Sequence, residues 1–177
     1  MTLWLRLFWV VAAALMGRRL TALEPSHLFF HVLPNDLDIN LHMNNARYLS
    51  VMDLGRADLL VRTGLWGRLW RSGAHPVLAG SVVRYRRPLA PFQRYQLLSR
   101  LVGWDERWFY IEHRIESHQA VACVALVKGT FLSPSGRLSP AEMAKLINWT
   151  AEPPPLPSWV GLWHDLDLGT EELTCVP

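Results

Sequence analysis

Residues 36–48 combine side chains of the kind that carry out acid–base chemistry within one short stretch. They read Asp-Leu-Asp-Ile-Asn-Leu-His-Met-Asn-Asn-Ala-Arg-Tyr, between an apolar run at 28–33 that predicts a strand and a helical pattern over about 44–65. Asp38 suits the role of base or nucleophile toward a polarised carbonyl. The free N–H groups at the start of the helix suit the role of oxyanion donors.

The same residues also fit a purely structural interpretation. Asp38 and Asn44 can accept hydrogen bonds from the unpaired N–H groups at a helix start, with His42 as a surface residue. Turns are rich in Asp and Asn for such local reasons. Spacing alone therefore leaves a catalytic loop and an ordinary helix cap as alternatives.

The pattern Asp-x-Asp-x-x-x-His-Met-Asn-Asn-Ala-Arg-Tyr resembles the signature of hot-dog-fold acyl-CoA thioesterases of the 4-hydroxybenzoyl-CoA thioesterase type. The stretch Leu-His-Met-Asn-Asn-Ala-Arg-Tyr-Leu and the later Gly-Trp-Asp and Glu-Pro-Pro-Pro-Leu-Pro are similar to the thioesterase superfamily member six group. The resemblance covers about residues 28–157. Leu41 stands where the family usually has glycine, which lets the backbone approach a ligand closely.

The resemblance implies a thioester hydrolase in which Asp38 attacks the carbonyl or activates water. An oxyanion donor would lie near Asn45, where the helix dipole adds to the hydrogen bond. His42, Asn44 and Asn45 would orient Asp38 or bind the substrate, and N-capping by Asn44 remains the alternative. Coenzyme A enters as part of the substrate, and we expect neither a metal ion nor a separate cofactor.

Substrate-binding candidates lie outside this stretch as well as in it. Tyr48 is one, although a tyrosine at that helical position is more often part of a core. Four arginines could meet the phosphates of coenzyme A, with solvent-facing strand charges as the alternative for any single one. They are Arg84, Arg86, Arg87 and Arg107.

The order of predicted elements indicates an α+β fold. After the helix, strands are predicted at 76–87, 94–104, 108–117 and 120–132, with 66–73 as a connection. One strand, one long helix and then a meander suit an antiparallel sheet wrapped around a central helix. The resemblance names this the hot-dog fold, which usually pairs two sheets edge to edge in a dimer. Within the helix, Gly55 would permit close approach of the sheet, and Arg56 and Asp58 would be solvated.

The N-terminal segment, residues 1–22, is predicted as an apolar helix. Its uninterrupted apolar run, residues 7–16, is shorter than the ~20 residues that span a bilayer. We expect it to pack on the domain or to lie in a membrane interface with its arginines toward water. A cleaved signal peptide is the minor alternative.

The thioesterase-like domain is assigned to residues 27–150 and a Pro-rich tail to 151–177. Ser139 and Glu142 form a capping box for a short helix to about residue 149. The tail could lie over the domain through Trp159, Leu162 and Trp163.

Composition limits the function classes. A net charge of +3 is too small to indicate nucleic-acid binding. The two cysteines, Cys123 and Cys175, have no metal or redox spacing, so a reducing compartment is expected. The resemblance implies a homodimer or homotetramer that acts on a small acyl thioester, and we expect it in the cytoplasm, peripheral to a membrane through residues 1–20. The second hypothesis is a non-catalytic, membrane-associated acyl- or lipid-binding hot-dog protein.

Overall fold

A long helix packed against an antiparallel sheet dominates the fold. The structure is a computed structural model that describes residues 3–146 and 154–163. In chain order the elements are α1 (Leu3–Met16), β1 (Ser26–His31), a 3₁₀ turn (Pro34–Asp36), α2 (Asn45–Arg62), α3 (Leu65–Ser72), β2 (His75–Tyr85), β3 (Arg94–Trp104), β4 (Phe109–Ser117), β5 (Ala120–Ser133), β6 (Gly136–Leu138) and α4 (Pro140–Leu146).

The sheet has the strand order β1-β3-β4-β5-β2, with β6 paired to β5, and each pairing is antiparallel. Its main core cluster joins buried side chains of α2, such as Val51 and Met52, to Leu97 of β3 and Ile115 of β4. Cys123 is buried in the same cluster, as expected for a core residue. The predicted α+β hot-dog arrangement of a sheet around one long helix is confirmed.

The predicted boundaries of β2 to β5 agree with the structure to within two residues, but two other predictions are wrong. Strand β1 begins and ends two residues earlier than expected. Residues 66–73, predicted as a connection, belong largely to α3. Gly64 and Gly73 flank this helix with left-handed backbone (φ 77° and 66°), and Gly73 donates to the carbonyls of its last turn. Burial of Leu69 then holds α3 against the domain.

Gly55 lies where α2 and β3 are in closest contact. A Cβ atom added there would overlap Oγ of Ser99 and would lie 2.9 Å from Cδ2 of Leu97. The prediction that Gly55 permits close approach of the sheet is therefore confirmed. The helix accepts a residue of low helical propensity because no other fits between the two elements.

The charges of α2 are not solvated as expected. Asp58 is only 2% exposed and lies 3.6 Å from Nη1 of Arg62. Arg56 is half-buried, with its guanidinium 3.2 Å from Nε2 of His113 on β4. The prediction that both are solvated is therefore wrong, because Arg56 reaches the sheet at His113 and Asp58 is buried beside Arg62.

Helix α1 runs beside α2 in the same direction. Its buried residues, Arg6, Val10 and Ala14, recur every four positions and so form one face. Beyond its end, the N–H of Leu20 donates to the carbonyl of Arg62 at the last residue of α2 (3.1 Å). Packing of this segment on the domain is confirmed, and the expectation that its arginines face water is wrong for Arg6.

None of the helices in the described part of the chain is both long and apolar enough to cross a bilayer.

The C-terminal elements agree in part with the sequence. Ser139 and Glu142 form the predicted capping box: the N–H of Ser139 donates to Oε2 of Glu142 (2.7 Å), and the N–H of Glu142 donates to Oγ of Ser139 (3.2 Å). The predicted helix end near residue 149 and most of the tail lie outside the described residues. Within 154–163, Trp163 packs beside Tyr110, whereas Leu162 is exposed, contrary to expectation.

The close approach at Gly55 gives a stability prediction. We expect Gly55→Ala to lower the free energy of unfolding by about 1–3 kcal/mol, because the methyl group overpacks the contact with β3. Gly67→Ala in α3 is the matched control, since no atom lies within 4 Å of its added Cβ. It should raise stability by up to about 1 kcal/mol through helix propensity. Urea unfolding measures both, and equal shifts for the two variants would contradict the packing argument.

Candidate active site

The loop between β1 and α2 is closed by its own backbone hydrogen bonds. We call residues 36–44 the site loop. The N–H of Asp38 donates to the carbonyl of His42 (2.9 Å), and the N–H of Leu41 donates back to the carbonyl of Asp38 (3.1 Å). The N–H of Asn44 donates to the carbonyl of Asp36 (2.8 Å). These bonds fix the loop tip relative to the start of α2.

Asp38 is half-buried at the centre of this loop. Its Oδ1 accepts from the N–H of Asn40 (2.8 Å) and, at a longer distance, from the N–H of His42 (3.4 Å). Its Oδ2 has no hydrogen-bond partner among residues 3–146 and 154–163. A carboxylate that is oriented through one oxygen and open at the other is suited to act as a base or nucleophile.

The start of α2 leaves one backbone donor open. Asn44 is the N-cap: its Oδ1 accepts from the N–H of Ala46 (2.9 Å), and its carbonyl accepts from the N–H of Arg47 (2.9 Å). The predicted capping role of Asn44 is therefore confirmed. The N–H of Asn45 has no acceptor within the described residues. An unpaired donor at the positive end of a helix is suited to stabilise an oxyanion.

The side chains of His42 and Asn45 are exposed and lie in the same short segment as Asp38. Tyr85, at the end of β2, donates its hydroxyl to the carbonyl of Asn45 (3.1 Å). This contact brings the end of β2 to the start of α2. The exposed residues Arg84, Arg86 and Arg87 therefore lie on the same side of the domain as the site loop.

Arg107 is not brought to this site. The start of β3 lies near the site loop, since the N–H of Phe92 bonds the carbonyl of Val32 (2.9 Å). Arg107 follows the other end of β3, which lies about 30 Å away at ~3.4 Å per residue. Its guanidinium instead stacks over the ring of Trp108, 5.1 Å from the centroid. Within one chain, the prediction that Arg107 joins the other three arginines at the site is therefore wrong.

Tyr48 lies in the core. Its ring packs edge-to-face on Tyr85, with the ring centroids 5.3 Å apart, and burial raises the pKa of its phenol to about 12. The structure thus places Tyr48 beneath the site, where it supports the start of α2, and not on an open wall.

Leu41 adopts a left-handed backbone with φ 57°. Glycine reaches this conformation without steric cost, whereas a leucine is strained there by about 1–2 kcal/mol. The side chain of Leu41 is 66% exposed, so little burial offsets that strain. The backbone at this position therefore has the geometry that a glycine would adopt most readily, although the residue is a leucine.

A buried ion pair, missed in the sequence, holds the site loop from below. Nη2 and Nη1 of Arg6 in α1 donate to Oδ2 and Oδ1 of Asp36 at 2.5 and 3.2 Å, and both side chains are at most 3% exposed. Nη2 also donates to the carbonyl of His31 (3.3 Å), and Oδ2 of Asp36 accepts from the N–H of Leu33 (2.9 Å). The available signal was a single arginine within an otherwise apolar run.

A second buried polar cluster, also missed, joins α2 to the sheet. Nδ1 of His113 lies 2.8 Å from Oγ of Ser99, and Nε2 lies 3.2 Å from Nη1 of Arg56, which pairs with Asp53. Burial, with the charge of Arg56, holds the pKa of His113 well below its usual value. The imidazole is thus neutral, and because a guanidinium only donates, Nε2 accepts and Nδ1–H donates to Ser99. In this tautomer Nδ1 of His113 cannot take a proton from Ser99, so this pair is not arranged as a serine–histidine nucleophile.

Comparison with known proteins supports one family. The family model described as Thioesterase-like superfamily matches residues 32–164. Protein THEM6 of Drosophila melanogaster is 31% identical over 94% of this chain and 86% of its own length. Protein THEM6 of Xenopus laevis is 42% identical over 47% of this chain, and that alignment spans only 40% of the frog protein.

Solved structures agree on the fold. A probable thioesterase from Escherichia coli superposes with a TM-score of 0.64 at 20% identity, over 70% of this chain and 96% of its own. The gentisyl-coenzyme A thioesterase BH1999 superposes with a TM-score of 0.60 at 15% identity, over 67% and 98% of the two chains. At this identity the likeness establishes the fold alone.

The buried pair predicts a large effect of Arg6. We expect Arg6→Met to lower the free energy of unfolding by about 3–5 kcal/mol, because Asp36 is left as an uncompensated buried charge. Arg18→Met removes the exposed pair with Glu24 and should leave the urea midpoint nearly unchanged. A loss for Arg6→Met no larger than that for Arg18→Met would contradict the role given to the pair.

The backbone of Leu41 predicts that a glycine stabilises the loop. We expect Leu41→Gly to raise the free energy of unfolding by roughly 0.5–1 kcal/mol, since relief of the left-handed strain exceeds the added chain entropy. Ile39→Gly is the control, because Ile39 is in the same loop and even more exposed than Leu41 (97% against 66%) but has no positive φ. It should lower stability. The same sign for both variants in urea unfolding would rule out strain as the cause.

Proposed function

Because the chain belongs to the thioesterase-like superfamily, we propose that it is a thioester hydrolase acting on acyl-CoA or a similar acyl thioester. The observation that carries this proposal is that, among the described residues, one group on the site loop and one at the helix start that follows it have no hydrogen-bond partner. These are Oδ2 of Asp38 and the N–H of Asn45 at the start of α2. One can deliver or activate a nucleophile, and the other can bind the charge that develops on the carbonyl oxygen.

The reaction adds water across the thioester. Asp38 either attacks the carbonyl carbon or takes a proton from the attacking water, and the N–H of Asn45 donates to the carbonyl oxygen as it becomes negative. If water attacks, the carbon–sulfur bond breaks, the thiolate takes the proton held by Asp38, and the thiol and the carboxylic acid leave. If Asp38 attacks, the thiolate leaves first, and water then hydrolyses the mixed anhydride on Asp38 and supplies the proton of the thiol. His42 and Asn45 offer exposed side chains to the substrate, while Asn44 holds the helix start. This mechanism requires no metal ion and no cofactor besides the coenzyme A of the substrate.

The nucleotide end of coenzyme A would meet Arg84, Arg86 and Arg87. All three are exposed, and they follow one another at the end of β2, which the hydroxyl of Tyr85 joins to Asn45. Guanidinium groups bind phosphate oxygens in bidentate fashion. Their number and position suit the phosphates of a ligand whose thioester lies at the helix start.

The exposed edge of the sheet supports assembly of two or more copies. Strand β2 has eleven residues, and one of its edges is unpaired among the described residues. It exposes the apolar side chains Leu78 and Val82. A long apolar edge strand is a template for pairing with another strand. We therefore assign β2 as the contact between copies in a homodimer, which can further associate into a tetramer.

The outer face of α1 supports a second candidate function, that of a membrane-associated acyl- or lipid-binding protein without catalysis. Trp4, Leu5, Phe8 and Trp9 are all more than half exposed. Arg18 and Arg19 follow at the end of the helix and are exposed as well. Aromatic residues beside basic ones are typical of helices that lie in a membrane interface. This placement, on the cytoplasmic side, is compatible with hydrolysis too.

Release of free coenzyme A from a panel of acyl-CoA thioesters tests the proposed function. We expect Asp38→Asn to reduce kcat/KM by about 10²–10⁴-fold with folding intact, because the amide can neither attack nor accept a proton. Glu106→Gln, beyond the far end of β3, should retain full activity. Equal rates for Asp38→Asn and wild type would refute the role of Asp38. No release from any thioester by the folded wild type would favour the non-catalytic alternative.

A further inference from the structure

A cavity of about 440 Å³ lies between helices α1 to α4 and the sheet, with α3 and α4 closing one side of it. Helix α1 contributes Leu7 and Val11 to its lining, and α2 contributes Ala57 and Leu60. The sheet adds aromatic and branched side chains, including Trp104 and Ile111. This volume falls within the range of about 300–1,000 Å³ that is typical of small-molecule sites.

The residues that line the cavity favour a hydrocarbon ligand. The charged ones, Asp53 and Arg56, pair with each other, so neither is free to bind a separate charged group. Alanines at positions 22 and 57 leave space that larger side chains would fill, and an unfilled apolar space lowers stability. The chemistry of the cavity therefore fits an aliphatic chain better than a polar ligand.

The cavity and the site loop lie along the same pair of helices. Helices α1 and α2 run in the same direction, and Leu7 directly follows Arg6, which binds Asp36 of the site loop. Asp53, Ala57 and Leu60 lie about 12, 18 and 22 Å beyond Asn45 along the axis of α2, at ~1.5 Å per residue. A single lipid chain spans about half of the ~30 Å core of a bilayer, or about 15 Å.

We propose that this cavity receives the distal part of a long acyl chain, so that long-chain acyl thioesters are the substrate class. The inference rests on the proposed hydrolysis at the start of α2. A thioester carbonyl at Asn45 places the end of a ~15 Å chain past Asp53 and about 3 Å short of the level of Ala57, within the lining of the cavity, whereas a short chain ends before it reaches Asp53. Helix α1 is then the roof of the acyl site as well as the support of the site loop.

Filling the cavity tests the proposal. We compare hydrolysis of palmitoyl-CoA and butyryl-CoA by the full-length wild type, by Ala57→Phe and by Ala141→Phe, a control at an exposed position of α4. Ala57→Phe should lower the palmitoyl-to-butyryl ratio of kcat/KM at least tenfold, and Ala141→Phe should leave it within twofold. Leu60→Trp provides a second filling variant should Ala57→Phe not fold. Calorimetric titration with palmitic acid measures binding without turnover.

Each outcome separates this inference from the proposed function. If both filling variants fold and keep the wild-type palmitoyl-to-butyryl ratio of kcat/KM, the proposed acyl site is wrong. The proposed hydrolase activity would still stand. If no protein releases coenzyme A, the hydrolase fails, and palmitate binding that weakens at least tenfold in Ala57→Phe alone would still support the cavity as an acyl-chain site. Equal palmitate binding by wild type and Ala57→Phe would overturn it.

Discussion

The ion pair between Arg6 and Asp36 is the interaction on which the arrangement of the site depends. Removing two charges from water is costly, and the pair is retained with at most 3% exposure because additional backbone groups complete its hydrogen bonds. Its partners lie on three separate parts of the chain: α1, the end of β1 and the site loop. This ion pair therefore fixes the N-terminal helix relative to the site loop. Because Asp38 lies in that loop, the pair also fixes the position of Asp38.

The backbone of the site loop carries the second constraint. The loop turns back on itself through bonds between Asp38 and His42, and this geometry requires a left-handed residue at Leu41. Strained positions of this kind persist where the surrounding structure over-determines them. In this loop the surroundings are the buried pair below and the capped start of α2 beside it. Together they hold Oδ2 of Asp38 and the N–H of Asn45 without a hydrogen-bond partner in the part of the chain that the structure describes. A loop free to move could form such bonds.

Much of the fold could be predicted from the sequence, because many of its features depend on residues that are close together in the chain. The alternating strands, the capping box at Ser139 and the close contact at Gly55 are of this kind. The burial of Arg6 could not be predicted, since its partner lies thirty residues away and an arginine in an apolar helix more often reaches solvent. Residue type alone groups Arg107 with the other arginines as a phosphate-binding candidate. In the fold, the length of β3 separates it from them. The candidate catalytic residues are indicated by the resemblance, whereas spacing alone leaves a catalytic loop and a helix cap as alternatives.

The contacts that α1 makes with the rest of the domain also matter for the design of expression variants. Apolar N-terminal helices are often trimmed before expression in order to improve yield. Removal of α1 here would delete the guanidinium that neutralises Asp36 and two side chains that line the cavity, Leu7 and Val11. A trimmed protein that lacks activity would then reveal nothing about membranes. Polar substitutions at Trp4 and Trp9, on the opposite face, change the outer surface of the helix and keep the inner one.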